Sequence, residues 1–180
     1  MSETIQVKLP DGSVKDVPKG TTPLEIARSI SPRLADAALV AKTNGNLIDL
    51  TRPLEQDTSL RILTDRDPEA LEVFRHSSAH LLAAAVLELF PETKLGHGPP
   101  TESGFFYDFL REKPFTPEDL ERLEKKMQEL VEQDLPYAQE FLPRPEGLER
   151  FRNEGDFMKC HFIEQFTAPD ERISIYRTGK

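Results

Sequence analysis

Ile5, Val7 and Leu9 alternate with polar residues, and Val14 and Val17 follow the stretch Pro10-Asp11-Gly12-Ser13. A period of two interrupted by turn-forming residues predicts a β-hairpin. Thr22-Pro23-Leu24-Glu25 places a capping threonine before a proline at the first helical position and a glutamate at the third, so a helix starts there. Ser31-Pro32 ends it, because the residue before a proline is pushed out of the α region. Ala38 to Thr43 and Leu47 to Leu50 flank Asn44-Gly45, a dipeptide suited to a tight turn with positive φ, and Leu60 to Leu63 supplies a last strand.

The order ββαβββ, or a close variant, within residues 1–63 resembles a β-grasp, or ubiquitin-like, domain. This segment has no histidine and no cysteine, and its carboxylates are scattered over turns and polar faces. Binding or positioning is therefore expected of it rather than catalysis, with an RNA or nucleotide contact and a plain docking role both open. Thr64-Asp65-Arg66 reads as a linker, and Asp67-Pro68 opens a second domain over residues 64–180. From Glu69 to Phe90 neither glycine nor proline intervenes, and Leu71, Phe74, Leu81, Leu82, Ala85, Val86 and Leu89 form a helical apolar stripe. Thr116-Pro117-Glu118-Asp119 caps another helix, with Leu120, Leu123, Met127, Leu130 and Val131 as its core face. Beyond Pro143-Arg144-Pro145, the residues Leu148, Phe151, Met158, Phe162, Ile163 and Phe166 are expected to pack further helices.

Composition narrows the class. With 37% hydrophobic and 31% charged residues and 11 Phe, the chain has the makings of folded domains rather than of a disordered acidic tail. One cysteine, Cys160, excludes an intrachain disulfide framework. No apolar run reaches membrane-spanning length and the first residues lack signal-peptide character, so a cytoplasmic location is expected. The net charge of -9 argues against non-specific nucleic-acid binding through bulk charge. Residues 1–63 hold 8 basic and 8 acidic side chains, and the whole acidic excess lies beyond them, in keeping with two domains.

His76 and His80 stand one helical turn apart, on one face. Such a pair can share a cation if other segments supply ligands, or can be ordinary helix residues, and the glutamate of a HExxH zinc site is missing. Downstream, Lys94-Leu95-Gly96-His97-Gly98-Pro99-Pro100 and Gly104-Phe105-Phe106-Tyr107-Asp108 are punctuated by glycine and rich in aromatics, as loops that admit a ligand closely often are.

Together with Arg75-His76-Ser77-Ser78-Ala79-His80-Leu81-Leu82, these motifs resemble the second N-terminal domain of bacterial threonyl-tRNA synthetases, and the preceding segment resembles their TGS domain. Matching order continues through Thr116-Pro117-Glu118-Asp119-Leu120-Glu121, Met158-Lys159 and Ile173-Ser174-Ile175-Tyr176-Arg177. The implied fold is α+β: a β-grasp TGS domain followed by an incomplete α/β editing domain. The family's editing site pairs HxxxH with a later Cys-x-x-x-His element, and this sequence ends at Thr178-Gly179-Lys180 without one. Cys160-His161 is no substitute, the two being adjacent. The expectation is an N-terminal part of a threonine-tRNA ligase; a free-standing tRNA-deacylating or RNA-binding protein is the alternative.

In that family the second domain removes serine wrongly attached to threonine tRNA. The resemblance implies tRNA(Thr) and mischarged seryl-tRNA(Thr) as partners, no membrane, and a homodimer formed through domains absent here. It implies ATP, Mg2+ and a Zn2+ ion only for the absent catalytic domain, with no cofactor or metal assigned within this sequence. By the same resemblance His76, His80 and Lys159 are candidate catalytic residues: the histidines position substrate and water, and the lysine serves the substrate or oxyanion. Tyr107 is a candidate substrate-binding residue. Such a hydrolytic site is useful because one methyl group gives a synthetic pocket only about 1 to 3 kcal/mol of discrimination.

Overall fold

The computed structural model describes residues 3–178. Two compact units divide between Arg75 and His76.

The first unit begins with the expected hairpin, β1 (Thr4–Lys8) against β2 (Val14–Pro18), antiparallel. Helix α1 (Pro23–Ile30) follows, its Thr22 hydroxyl accepting from the Glu25 amide while the Glu25 carboxylate accepts from the Thr22 amide at 2.8 Å. Ser31 is extended and ends α1, but Pro32 immediately opens a second short helix, α2 (Pro32–Ala37). The proline that terminates one helix is thus the first residue of the next, since its missing N–H is not needed there. β3 (Ala38–Thr43) and β4 (Asn46–Ile48) turn through Asn44 and Gly45, at φ 49° and 88°, as the dipeptide predicts. β5 (Thr58–Thr64) then enters the middle of the sheet, giving the order β2-β1-β5-β3-β4, with β1 and β5 parallel.

Ile5, Val7, Ile26, Ala41, Leu54 and Leu60 form the core beneath α1. A helix across a mixed sheet in this order is a β-grasp, and the chain as a whole is α+β. The linker reading of Thr64-Asp65-Arg66 leaves out a second cluster. Val40, Leu63 and Ala70 are buried together with Leu39 and Val73 packed against them, so the first unit extends through Arg75 rather than closing at residue 63.

The division therefore falls inside α3 (Pro68–Leu89), a 22-residue helix. Its buried face is built largely of small side chains: Ala70, Ala79, Ala83, Ala85 and Val86. Phe74, expected in the stripe, is 55% exposed. Alanine fills the inner face because a small side chain permits close approach, a preference that counting large apolar residues misses.

In the second unit α3 runs to a two-stranded ribbon, β6 (Lys94–Leu95) with β7 (Phe109–Leu110), and then to α4 (Pro117–Glu132). Thr116 caps α4 in a reciprocal box with Asp119. Val86, Phe90, Leu123 and Leu130 share a core, with Met127 and Phe115 packed against it. Leu120 and Val131, assigned to that core by periodicity, are 59% and 62% exposed: they lie on the flank of the stripe, beyond the arc that α3 covers.

The chain continues as β8 (Tyr137–Pro143), α5 (Arg144–Asn153), α6 (Phe157–Phe166) and β9 (Arg172–Thr178). β9 pairs antiparallel with β8 along all seven residues. Leu148, Phe151, Cys160 and Ile173 form the core between this ribbon and the two helices. Gly147 lets α5 approach β9, since a Cβ there would overlap the Ile173 side chain. Phe166, expected inside, is exposed.

Candidate active site

Five segments of the second unit build the walls of one cavity of about 790 Å³: α3, the loop leaving β6 together with Tyr107, α5 through Phe151, α6, and the β8–β9 ribbon. That volume lies within the roughly 300 to 1,000 Å³ typical of ligand pockets. His80, Tyr107 and Lys159 all line it. His76 stands one turn back on α3, its ring centre 4.8 Å from that of His80. Three of the four residues singled out in the sequence thus share a wall, and the fourth touches one of them.

Backbone chemistry fixes each position. The HxxxH spacing sets both imidazoles on one face of α3. Tyr107 owes its place to the glycine loop. The Gly96 amide donates to Asp108 O at 2.8 Å and the Asp108 amide donates to His97 O at 2.9 Å, which zips the loop to the Tyr107 segment. A Cβ on Gly98 would lie 2.5 Å from Tyr107 Cε2, so only glycine lets the ring lie across that backbone. The ring then stacks on Phe109, centroids 4.8 Å apart and planes 14° from parallel. Lys159 lies in the first turn of α6 and its ammonium rests 4.8 Å from the centre of the buried Phe151 ring.

Electrostatics give these groups defined forms. Burial, and after it the charge of nearby His76, pulls His80 below its ordinary value of 6.5, so its imidazole is neutral at pH 7 and can take a proton. Burial, followed by the Asp156 carboxylate, pushes the Tyr107 phenol upward, so it remains a hydrogen-bond donor. The cavity therefore offers a neutral base, a phenol donor and a cation, set among Phe151, Phe162, Ile163 and other apolar side chains. Among the described residues, no group of three or more His, Cys, Asp or Glu side chains is gathered as a metal site.

Sequence reasoning passed over two residues here. His97, in the loop that leaves β6, lines the cavity, its ring 5.8 Å from that of Phe162. Asp156, three positions before Lys159 at the start of a helix, carries a capping signal in the sequence but none that points to the cavity.

Residues 5–64 match the TGS domain family. Over 99% of its length the chain is 52% identical to the threonine--tRNA ligase of Acidobacterium capsulatum, and over 98% it is 46% identical to that of Hyphomonas neptunium. The threonine--tRNA ligase of Symbiobacterium thermophilum is 46% identical across the full chain. The chain is homologous to the N-terminal region of bacterial threonine--tRNA ligases. It spans 31%, 27% and 28% of the lengths of these three relatives. Its TGS domain coincides with the β-grasp sheet, and the cavity lies in the part of the homologous region that follows.

Proposed function

We propose that this chain acts as part of a threonine--tRNA ligase, in which its second unit hydrolyses serine from mischarged tRNA(Thr). The observation that carries the reading is the convergence of His80, Tyr107 and Lys159, from three separate segments, on one largely apolar cavity. Hydrolysis of an aminoacyl ester requires a held water, a proton acceptor and relief of the charge that develops on the carbonyl oxygen. Neutral His80, backed by His76, holds the water and is suited to accept its proton. The Lys159 ammonium answers the developing oxyanion or anchors the substrate. The Tyr107 hydroxyl donates a hydrogen bond to the substrate. Apolar walls thin out competing water and strengthen each of these interactions.

The same enzyme charges tRNA(Thr) with threonine at the expense of ATP and pairs as a homodimer through other domains. A cytoplasmic location goes with that activity, on the likeness to threonine--tRNA ligases. Among the described residues no helix is long and apolar enough to cross a membrane. The test is to present the ligase that carries this segment with tRNA(Thr) pre-charged with either amino acid. Serine is released rapidly and threonine is retained. Equal release of the two, or release of neither, refutes the reading.

A further inference from the structure

The turn between α5 and α6 holds a carboxylate that touches the site from behind. Gly155, at φ 70°, reverses the chain, and the Asp156 amide then donates to Phe151 O at 2.8 Å. This fixes Asp156 as the cap of α6. Its Oδ1 accepts from the Lys159 amide at 3.0 Å, and its Oδ2 lies 3.1 Å from Lys159 Nζ. The carboxylate is mostly buried, its side chain 17% exposed, whereas the lysine it holds is 38% exposed and lines the cavity.

We propose that Asp156 is a positioning residue for the hydrolytic site: one carboxylate oxygen sets the first turn of α6, and the other holds the Lys159 ammonium in place on the cavity wall. The inference rests on the deacylation reading above and adds a residue to it. A lysine on a four-carbon stem has many rotamers, and an ammonium meant to meet an oxyanion has to be held before the reaction. Two constraints remove that freedom, the Asp156 carboxylate on one side and the Phe151 ring on the other. The same carboxylate acts on a second member of the site, since its charge favours the protonated, donating form of Tyr107. An ordinary capping aspartate on an exposed helix would serve the helix alone. Here it also holds one cavity-lining group and bears on the protonation of another.

Asparagine caps a helix about as well as aspartate, so Asp156→Asn keeps the fold of the turn and removes the charge. In the ligase that carries this segment, Asp156→Asn is expected to slow deacylation of pre-charged seryl-tRNA(Thr) about tenfold to a hundredfold, the scale of a misplaced catalytic group. Asp156→Glu, which restores the charge on a longer stem, recovers part of the rate. The double variant Asp156→Asn with Lys159→Ala is no slower than Lys159→Ala alone, because burial by itself keeps Tyr107 protonated and the aspartate's effect on the rate runs through the lysine. A purely structural cap would give additive losses. As a readout independent of turnover, the phenol titration assigned to Tyr107, by difference from Tyr107→Phe, moves to lower pH in Asp156→Asn. Asp156→Asn at the unmodified rate, in an enzyme that Lys159→Ala still cripples, overturns this inference and leaves the deacylation reading standing. An unmodified ligase that does not release serine, or a Lys159→Ala variant that works normally, overturns both.

Discussion

At the scale of single residues, the site depends on how closely one backbone can approach one ring. A methyl group on Gly98 has no room beside Tyr107, so Gly98→Ala must swing the ring off Phe109 and out of its place in the wall. Deacylation by the ligase should fall about tenfold to a hundredfold. Tyr107→Phe, which keeps the ring and loses only the hydroxyl, should fall less. Comparing the two rates checks whether the glycine serves the ring. His80 carries a pH signature of its own. The unfolded chain takes up the histidine proton near 6.5, while the folded protein resists it to a lower pH. The folded state is therefore at no disadvantage above 6.5 and loses stability as pH falls from there towards the depressed value. Urea midpoints measured above and below 6.5 should drop more for the unmodified protein than for His80→Gln. The histidine pair was legible because helical spacing alone puts two imidazoles on one face. His97 was not, because a loop's path decides what lies near Tyr107 and has no period to read; Asp156 offers a capping signal, but that signal says nothing of the ammonium the carboxylate holds.

Among the elements, caps and turns were the legible features. Thr22-Pro23-Leu24-Glu25 and Thr116-Pro117-Glu118-Asp119 each carry their capping partners within four residues, so the hydrogen bonds they make are local and need no fold to form. Asn44-Gly45 is equally self-contained. Burial was legible only in part, because it depends on what arrives opposite. The alanines of α3 lie inside, and Phe74, Leu120 and Val131 lie largely outside, since the neighbouring element covers a narrower arc than the apolar stripe. The pairing of β8 with β9 joins segments separated by two helices, which no local pattern announces. That ribbon and α5 meet at Gly147, where any added Cβ would run into Ile173. Gly147→Ala should destabilise the second unit by about 1 to 3 kcal/mol, the usual cost of overpacking. Adding Ile173→Val, which removes the methyl that collides, should restore much of the loss. Chemical denaturation of the two variants side by side measures it.

Across the whole molecule, the two compact units differ in the chemistry they carry. The β-grasp sheet brings no histidine and no cysteine, and the cavity with its titratable groups belongs to the second unit alone. The acidic excess lies beyond residue 63, while the compact first unit runs through Arg75, with Ala70 and Val73 packed in its second cluster. On the proposed function, His76, His80 and Lys159 serve hydrolysis of a mischarged tRNA and not the synthesis of a charged one. The direct test is to measure release of serine from pre-charged seryl-tRNA(Thr) by the ligase with His76→Ala, His80→Ala or Lys159→Ala, in parallel with threonine-dependent ATP exchange. Loss of a positioned group should slow deacylation by about two to four powers of ten. Exchange should proceed at the unmodified rate. Deacylation at the unmodified rate in all three variants would refute the proposed function and return the histidine pair to an ordinary place on its helix.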